Sequence, residues 1–149
     1  TLLELGRIGS DDIPESDINN TLNYLEEYIR VNNINILIGF SQGGNLISTY
    51  LRLKNSDNHI KRAAIISGYD FPRYINNVLN VDRLLVIFSK NDEIVNYHLT
   101  PSIKVPKDTI IFEHSKGHKI YQQNSFITKF INSLFDNTQP TDLDLNNEC

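Results

Sequence analysis

With 149 residues and a single cysteine, Cys149 at the last position, the chain can build one core but has no internal disulfide framework and no cysteine-based zinc cluster. Its formal charge of −4 is local: residues 136–149 hold Asp136, Asp142, Asp144 and Glu148 and no Lys or Arg, leaving 14 acids against 14 bases in residues 1–135. A neutral body offers no basic footprint for a phosphate backbone, which excludes nucleic acid as the expected partner.

Residues 6–16 are rich in Gly, Ser, Asp and Pro and read as a loop. Ile18, Leu22, Leu25 and Ile29 then recur at helical spacing, which predicts an amphipathic helix with Ser16 as its capping residue. Ile34-Asn35-Ile36-Leu37-Ile38, closed by Gly39, predicts a strand, and Leu46, Ile47, Tyr50 and Leu51 a helix over 42–55. Ala63-Ala64-Ile65-Ile66 is a second strand, followed by a mixed segment over 70–81 with room for one short helix. Leu84-Leu85-Val86-Ile87-Phe88 and Thr109-Ile110-Ile111-Phe112 predict two more strands. Phe126, Ile127, Phe130, Ile131 and Leu134 form the stripe of a last helix over 120–135. The expected organisation is one domain over 1–135 and an acidic, disordered tail over 136–149.

No stretch approaches the ~18 apolar residues of a membrane span, and no charged-then-apolar leader opens the chain, so the expectation is a soluble, cytoplasmic protein. Methionine is absent, even at position 1, so either an initiator preceded Thr1 or the chain begins inside a longer protein. The strands are continuous apolar runs, the pattern of a parallel sheet covered on both faces. Strand, helix and strand in alternation predict a doubly wound, mostly parallel α/β fold.

The sharpest local feature is Gly39-Phe40-Ser41-Gln42-Gly43-Gly44, a G-x-S-x-G turn between a predicted strand and a predicted helix. Such a turn strains the serine backbone, and side chains at Gly39 or Gly43 are expected to collide with the neighbouring strand and helix. It would lift the Ser41 hydroxyl above the sheet edge and set the Gln42 N–H at a helix N-terminus, where it can stabilise an oxyanion. The competing reading is a phosphate-binding glycine turn, although neither G-x-G-x-x-G nor G-x-x-x-x-G-K-[ST] is matched.

A nucleophilic serine needs a base held by an acid, in the chain order Ser, acid, His, each just past a later strand. Asp92 follows the strand 84–88, and His118 follows the strand 109–112. In these roles His118 takes the Ser41 proton and returns it to the leaving group, while Asp92 fixes its tautomer. Glu93 and Asp70 compete for the acid position. His114 competes for the base, though it sits closer to the strand and suits a structural bond to the loop backbone. A His114/His118 metal pair lacks a third ligand, so no metal and no cofactor are expected. His59 and His98 read as surface or loop residues. Tyr69, Phe71 and Tyr74 either border an acyl site or serve as packing.

With these residues in place, the chain resembles an α/β-hydrolase, and specifically the FSH-type serine hydrolases. The resemblance runs from about residue 16 to 135 through the elbow, Ile66-Ser67-Gly68-Tyr69, Asp92-Glu93-Ile94-Val95 and His114…Gly117-His118. The elbow is equally similar to the acyl-protein thioesterase and carboxylesterase group. The resemblance implies Ser41, Asp92 and His118 as nucleophile, acid and base. The pattern departs at Lys116, where a glycine is usual, and at Asn96 and Tyr121, where prolines are. Such hydrolases open with further strands and a His-Gly loop that supplies a second oxyanion donor, so the resemblance implies that the N-terminal strands are lacking. The function implied is cleavage of small-molecule carboxylic esters or thioesters through an acyl-enzyme. Two other readings stand beside it: a non-catalytic, truncated hydrolase-like domain acting as a binding or assembly unit, and a nucleotide-binding α/β protein using the Gly43-Gly44 turn. Oligomeric state and acyl-chain preference have no signature in the sequence.

Overall fold

The computed structural model describes residues 13–135. Helix α1 (Glu15–Val31) leads into strand β1 (Ile36–Phe40), helix α2 (Gln42–Leu53) and strand β2 (Arg62–Ile66). Strands β3 (Arg83–Ser89) and β4 (Ile110–His114) and helix α3 (Asn124–Phe135) complete the order. All strand pairs are parallel, in the order β1-β2-β3-β4, with Ile38 beside Ala64, Ala64 beside Leu85 and Leu85 beside Ile110. The expected tail over 136–149 and most of the expected opening loop lie outside the described residues.

Because successive strand side chains point to opposite faces, each strand feeds two cores. Ala63, Ile65, Leu84 and Val86 pack against Ile18, Leu22 and Ile29 of α1 and Ile47, Tyr50 and Leu51 of α2. Ala64, Ile66, Leu85, Ile87, Ile110 and Phe112 meet Phe126 and Leu134 of α3 on the other face. The α/β sheet is therefore covered on both faces, as the apolar runs predict. The expectation holds for β2 and β3 and fails at the edges. In β4 Ile111 and Glu113 point outward between buried neighbours, and in β1 Ile38 is 53% exposed. Edge strands have one neighbour, so half of their surface is left to solvent or to another layer.

Several boundaries differ from the sequence expectation. Strand β1 starts at Ile36 and runs through Gly39 to Phe40, because Gly39 keeps its ladder place beside Ile65. Ser16 lies inside the first turn of α1, whose N-cap is Pro14 without a side-chain bond. Pro at this boundary gives up no N–H that the helix needs. The segment between β2 and β3 contains only a 3-10 turn, Pro72–Tyr74, and α3 begins at Asn124.

Two sets of arginines join these layers. Arg62 Nη1 donates to Leu134 O at 2.7 Å and Arg83 Nε to Ser133 O, so strand residues satisfy carbonyls at the C-terminal end of α3, where cations are favourable. Arg52 on α2 is buried against Asp70: Nε to Oδ1 at 3.1 Å and Nη2 to Oδ2 at 2.8 Å. It also donates to Asn77 O at 2.6 Å and Ile103 O at 3.0 Å, while Ser48 Oγ donates to the Asp70 carboxylate. One guanidinium thus clasps the loops after β2 and after β3. Replacing it by methionine leaves the Asp70 carboxylate buried without its cation, an expected loss of ~3–5 kcal/mol. Urea unfolding of Arg52→Met against the double variant Arg52→Met/Asp70→Leu checks this, with the double variant the more stable of the two.

Candidate active site

The β1–α2 turn places Ser41 at φ 56° and ψ −117°, a conformation rare for any residue but glycine. Ser41 N donates to Ile66 O at 2.9 Å, and Ser41 O accepts from Asn45 N at 3.0 Å as the first bond of α2. The backbone is thereby held from the sheet on one side and the helix on the other. Gln42 opens α2, so its N–H lies at the positive end of the helix.

The crowding predicted for the elbow is real at Gly39, where a Cβ would sit 2.4 Å from Gly43 O and 2.6 Å from Ile47 Cδ1. At Gly43 the expectation fails, for a Cβ there would meet nothing within 4 Å. The second crowded glycine is Gly44, whose Cβ would lie 2.9 Å from Gly68 Cα. The turn is tight because the first turn of α2 rests on β1 and on the end of β2, and Gly43 faces away from both.

Asp92 and His118 come together from the ends of β3 and β4. His118 Nδ1 lies 2.7 Å from Asp92 Oδ2. Asp92 Oδ1 accepts the N–H groups of Ile94 and Val95, both at 2.8 Å. The carboxylate is thus fixed by two backbone donors and the imidazole, and its side chain is only 3% exposed against 17% for His118. The Phe40 ring packs on the His118 ring with centroids 4.9 Å apart, which brings the residue before Ser41 against the imidazole. Ser41 Oγ and His118 Nε2 are not hydrogen-bonded to each other. Beside the His118 imidazole opens a cleft of about 600 Å³ lined by Phe40, Lys116, His118, Lys119, Ile120 and Gln122 among others.

The competing residues have other places. Asp70 belongs to the Arg52 clasp, and Glu93 is exposed beside Asp92. His114 is buried, and its Nδ1 accepts Lys116 N at 3.1 Å, the loop bond expected from its position. Tyr69, Phe71 and Tyr74 are buried in a chain of edge-on ring contacts, which makes them packing. Among the described residues, no three His, Cys, Asp or Glu side chains form a metal site, and no helix is long and apolar enough to cross a membrane. Sequence reasoning missed the Ser89 hydroxyl, which accepts from Asn91 N and Gly117 N, both at 3.2 Å. A serine closing an apolar strand is the only signal for it.

A parallel sheet with a strained serine at a strand-to-helix turn, and an Asp–His pair at the ends of later strands, defines an α/β-hydrolase fold. The serine hydrolase (FSH1) family matches residues 9–130, and the chain belongs to it. No curated protein matches it by sequence. Among solved structures, it is similar to YahD, solved with malic acid, at 17% identity and a TM-score of 0.61, over 87% of this chain and 68% of that one. The Bacillus cereus carboxylesterase is similar at 15% identity and a TM-score of 0.57, over 83% and 64%. A variant of SOBER1 from Arabidopsis thaliana matches at 18% identity and 0.57, over 81% and 64%. The chain spans less than two thirds of the length of the latter two proteins, and the likeness to all three is one of fold.

Gly39→Ala is expected to lose more than ~3 kcal/mol, because backbone must move, whereas Gly43→Ala stays within about 1 kcal/mol of the parent; urea unfolding separates them. Burial holds the His114 imidazole below its ordinary value, opposed by Asp92 and assisted by Lys116 and Lys119. The unfolded chain then takes up this proton first, so the stability is complete above about pH 6.5 and falls as pH drops below it. His114→Phe is expected to show a shallower fall from pH 7 to 5 in unfolding midpoints.

Proposed function

We propose that the chain carries the reacting groups of a serine hydrolase for carboxylic esters or thioesters, with Ser41 as nucleophile, His118 as base and Asp92 as its orienting acid. The observation that carries this is the Asp92–His118 pair at 2.7 Å, whose imidazole packs on Phe40, the residue before a serine at φ 56°. Asp92 accepts at Nδ1, which leaves His118 Nε2 as the basic nitrogen. Phe40 packs on that ring and directly precedes Ser41, which supports a place for the serine on the same side as the imidazole.

In this mechanism Ser41 Oγ attacks the carbonyl carbon as its proton passes to His118 Nε2. The carbonyl oxygen becomes an oxyanion, which the Gln42 N–H receives at the start of α2. The intermediate collapses, the carbon–oxygen or carbon–sulfur bond breaks, and His118 returns the proton to the leaving alcohol or thiol. Water, deprotonated by the same nitrogen, then attacks the acyl-Ser41 ester; the acyl–oxygen bond breaks, His118 returns the proton to Ser41 Oγ and the acid leaves. Asp92 stays ionised throughout and stabilises the imidazolium.

The second reading is a non-catalytic binding or assembly unit. It is favoured by the half-exposed Ile38 on the outer strand β1. One assay divides the two. A fluorophosphonate probe is expected to label the chain at Ser41, with labelling abolished in Ser41→Ala. Turnover of a p-nitrophenyl ester should fall on the order of 10⁴-fold in Asp92→Asn and on the order of 10⁶-fold in His118→Ala. A folded chain that takes no probe supports the binding unit.

A further inference from the structure

We propose that Ser89 is a positioning residue that sets the distance between the acid-bearing and base-bearing turns, a reading that rests on the assignment of Asp92 and His118. Ser89 ends β3 and pairs with His114 at the last rung of the β3–β4 ladder. Its side chain is therefore at the point where the two chains leave the sheet and begin the two turns.

Ser89 is 1% exposed, and its hydroxyl oxygen accepts two backbone N–H groups, one from each turn. Asn91 N, immediately before Asp92, donates at 3.2 Å. Gly117 N, immediately before His118, also donates at 3.2 Å. One oxygen atom thus fixes the residue preceding the acid and the residue preceding the base. A second bond runs between the same turns, from Asn91 Nδ2 to Ser115 O at 3.1 Å. Asp92 N in turn donates to Ser89 O at 3.2 Å, so the acid turn closes on the same residue from its main chain.

The base turn has no regular secondary structure to hold it. It leaves β4 at His114 and reverses at Gly117, which stands at φ +76°. Two side-chain acceptors restrain it, His114 Nδ1 for Lys116 N and Ser89 Oγ for Gly117 N. Of these two, the Ser89 bond connects the turn to the strand that carries the acid. Without it, the N–H of Gly117 loses a buried acceptor and must turn toward water, which carries His118 with it. The Asp92–His118 bond is short and directional, so a small shift of the turn weakens it, and misplacement of catalytic groups by about 1 Å costs on the order of a hundredfold in rate.

The test compares Ser89→Ala and Ser89→Thr with the parent in the full chain. Long-range ¹H–¹⁵N correlation reads the tautomer of His118. The parent is expected to carry its proton on Nδ1. Ser89→Ala should shift toward a tautomer mixture, and Ser89→Thr, which retains the acceptor, should restore the parent pattern. In p-nitrophenyl butyrate hydrolysis, kcat should fall about 10- to 100-fold in Ser89→Ala with KM changed less than about twofold. If the alanine variant does not fold, Ser89→Cys, which keeps the bulk but weakens the acceptor, takes its place. An unchanged His118 tautomer in the alanine or cysteine variant overturns the proposal. A parent chain that neither labels nor hydrolyses removes the hydrolase reading instead, and the tautomer comparison still decides what Ser89 does.

Discussion

The approach of α2 to the sheet is the constraint on which the rest of the molecule depends. Gly39 lets the carbonyl of Gly43 come to a distance that no side chain would permit, and Gly44 does the same against Gly68. The chain can then turn from strand to helix within one residue, and Ser41 takes the resulting strain at φ 56°. Close seating also determines what α2 can reach. Asn45, Ser48 and Arg52 lie on one face of the helix at helical spacing, and all are buried. Asn45 Nδ2 donates to Tyr69 O at 2.9 Å, and Ser48 and Arg52 hold Asp70. A helix seated farther away would leave these polar groups buried and unpaired, at a cost comparable to that of losing the fold.

The two faces of the sheet carry different duties. On the α1–α2 side, the polar stripe of α2 grips the loops beyond β2 and β3, so that face organises the ends of the strands. On the α3 side the contact is aromatic: Phe112 stacks on Phe126 with centroids 4.6 Å apart, and Tyr121 lies edge-on to Phe126 at 5.1 Å. His114 stacks on Tyr121 at 5.5 Å, which continues this cluster to the root of the turn that carries His118. A neutral imidazole fits such a place better than an ionised one, which is why burial lowers its proton affinity. His118, four residues on, remains beside a carboxylate and a cleft. Burial and partnership divide the labour of two histidines close in sequence.

What could be read from the sequence was whatever a local signal encodes. The four apolar runs became the four strands, and the elbow motif lay where its strand and helix required. Asp92 and His118 were legible by chain order alone, because parallel strands deliver their C-terminal ends to one side. The misreadings share a cause. Gly39 looked like a strand terminator, and only the pairing with Ile65 shows that it continues the ladder. Gly43 looked crowded, and only the direction in which α2 leaves the turn shows it facing open space. The Arg52–Asp70 pair joins residues far apart in the chain, and the Ser89–Gly117 bond joins residues farther apart still. Such partners are products of topology, and no periodicity records them.

The site also differs from the edge of the sheet in what it requires. Ile38 of β1 looks onto an apolar groove of about 310 Å³ shared with Ile120, Ile127 and Ile131 of the α3 side. The groove lies beside β1, at the end of the sheet away from β4. The Asp92–His118 pair draws its hydrogen-bonding restraints from elsewhere. Its restraints come from Ile94, Val95, Ser89 and Asn91, all on the β3–β4 side, two strands away from β1. The hydrogen bonds that orient His118 thus lie within residues 89–118, and β1 adds one contact, the Phe40 ring on the imidazole. Ser41, just past β1, is held by the elbow turn and by its bond to Ile66 O. The hydrogen bonds of the Asp92–His118 pair thus come from one half of the sheet, and the turn that holds Ser41 from the other.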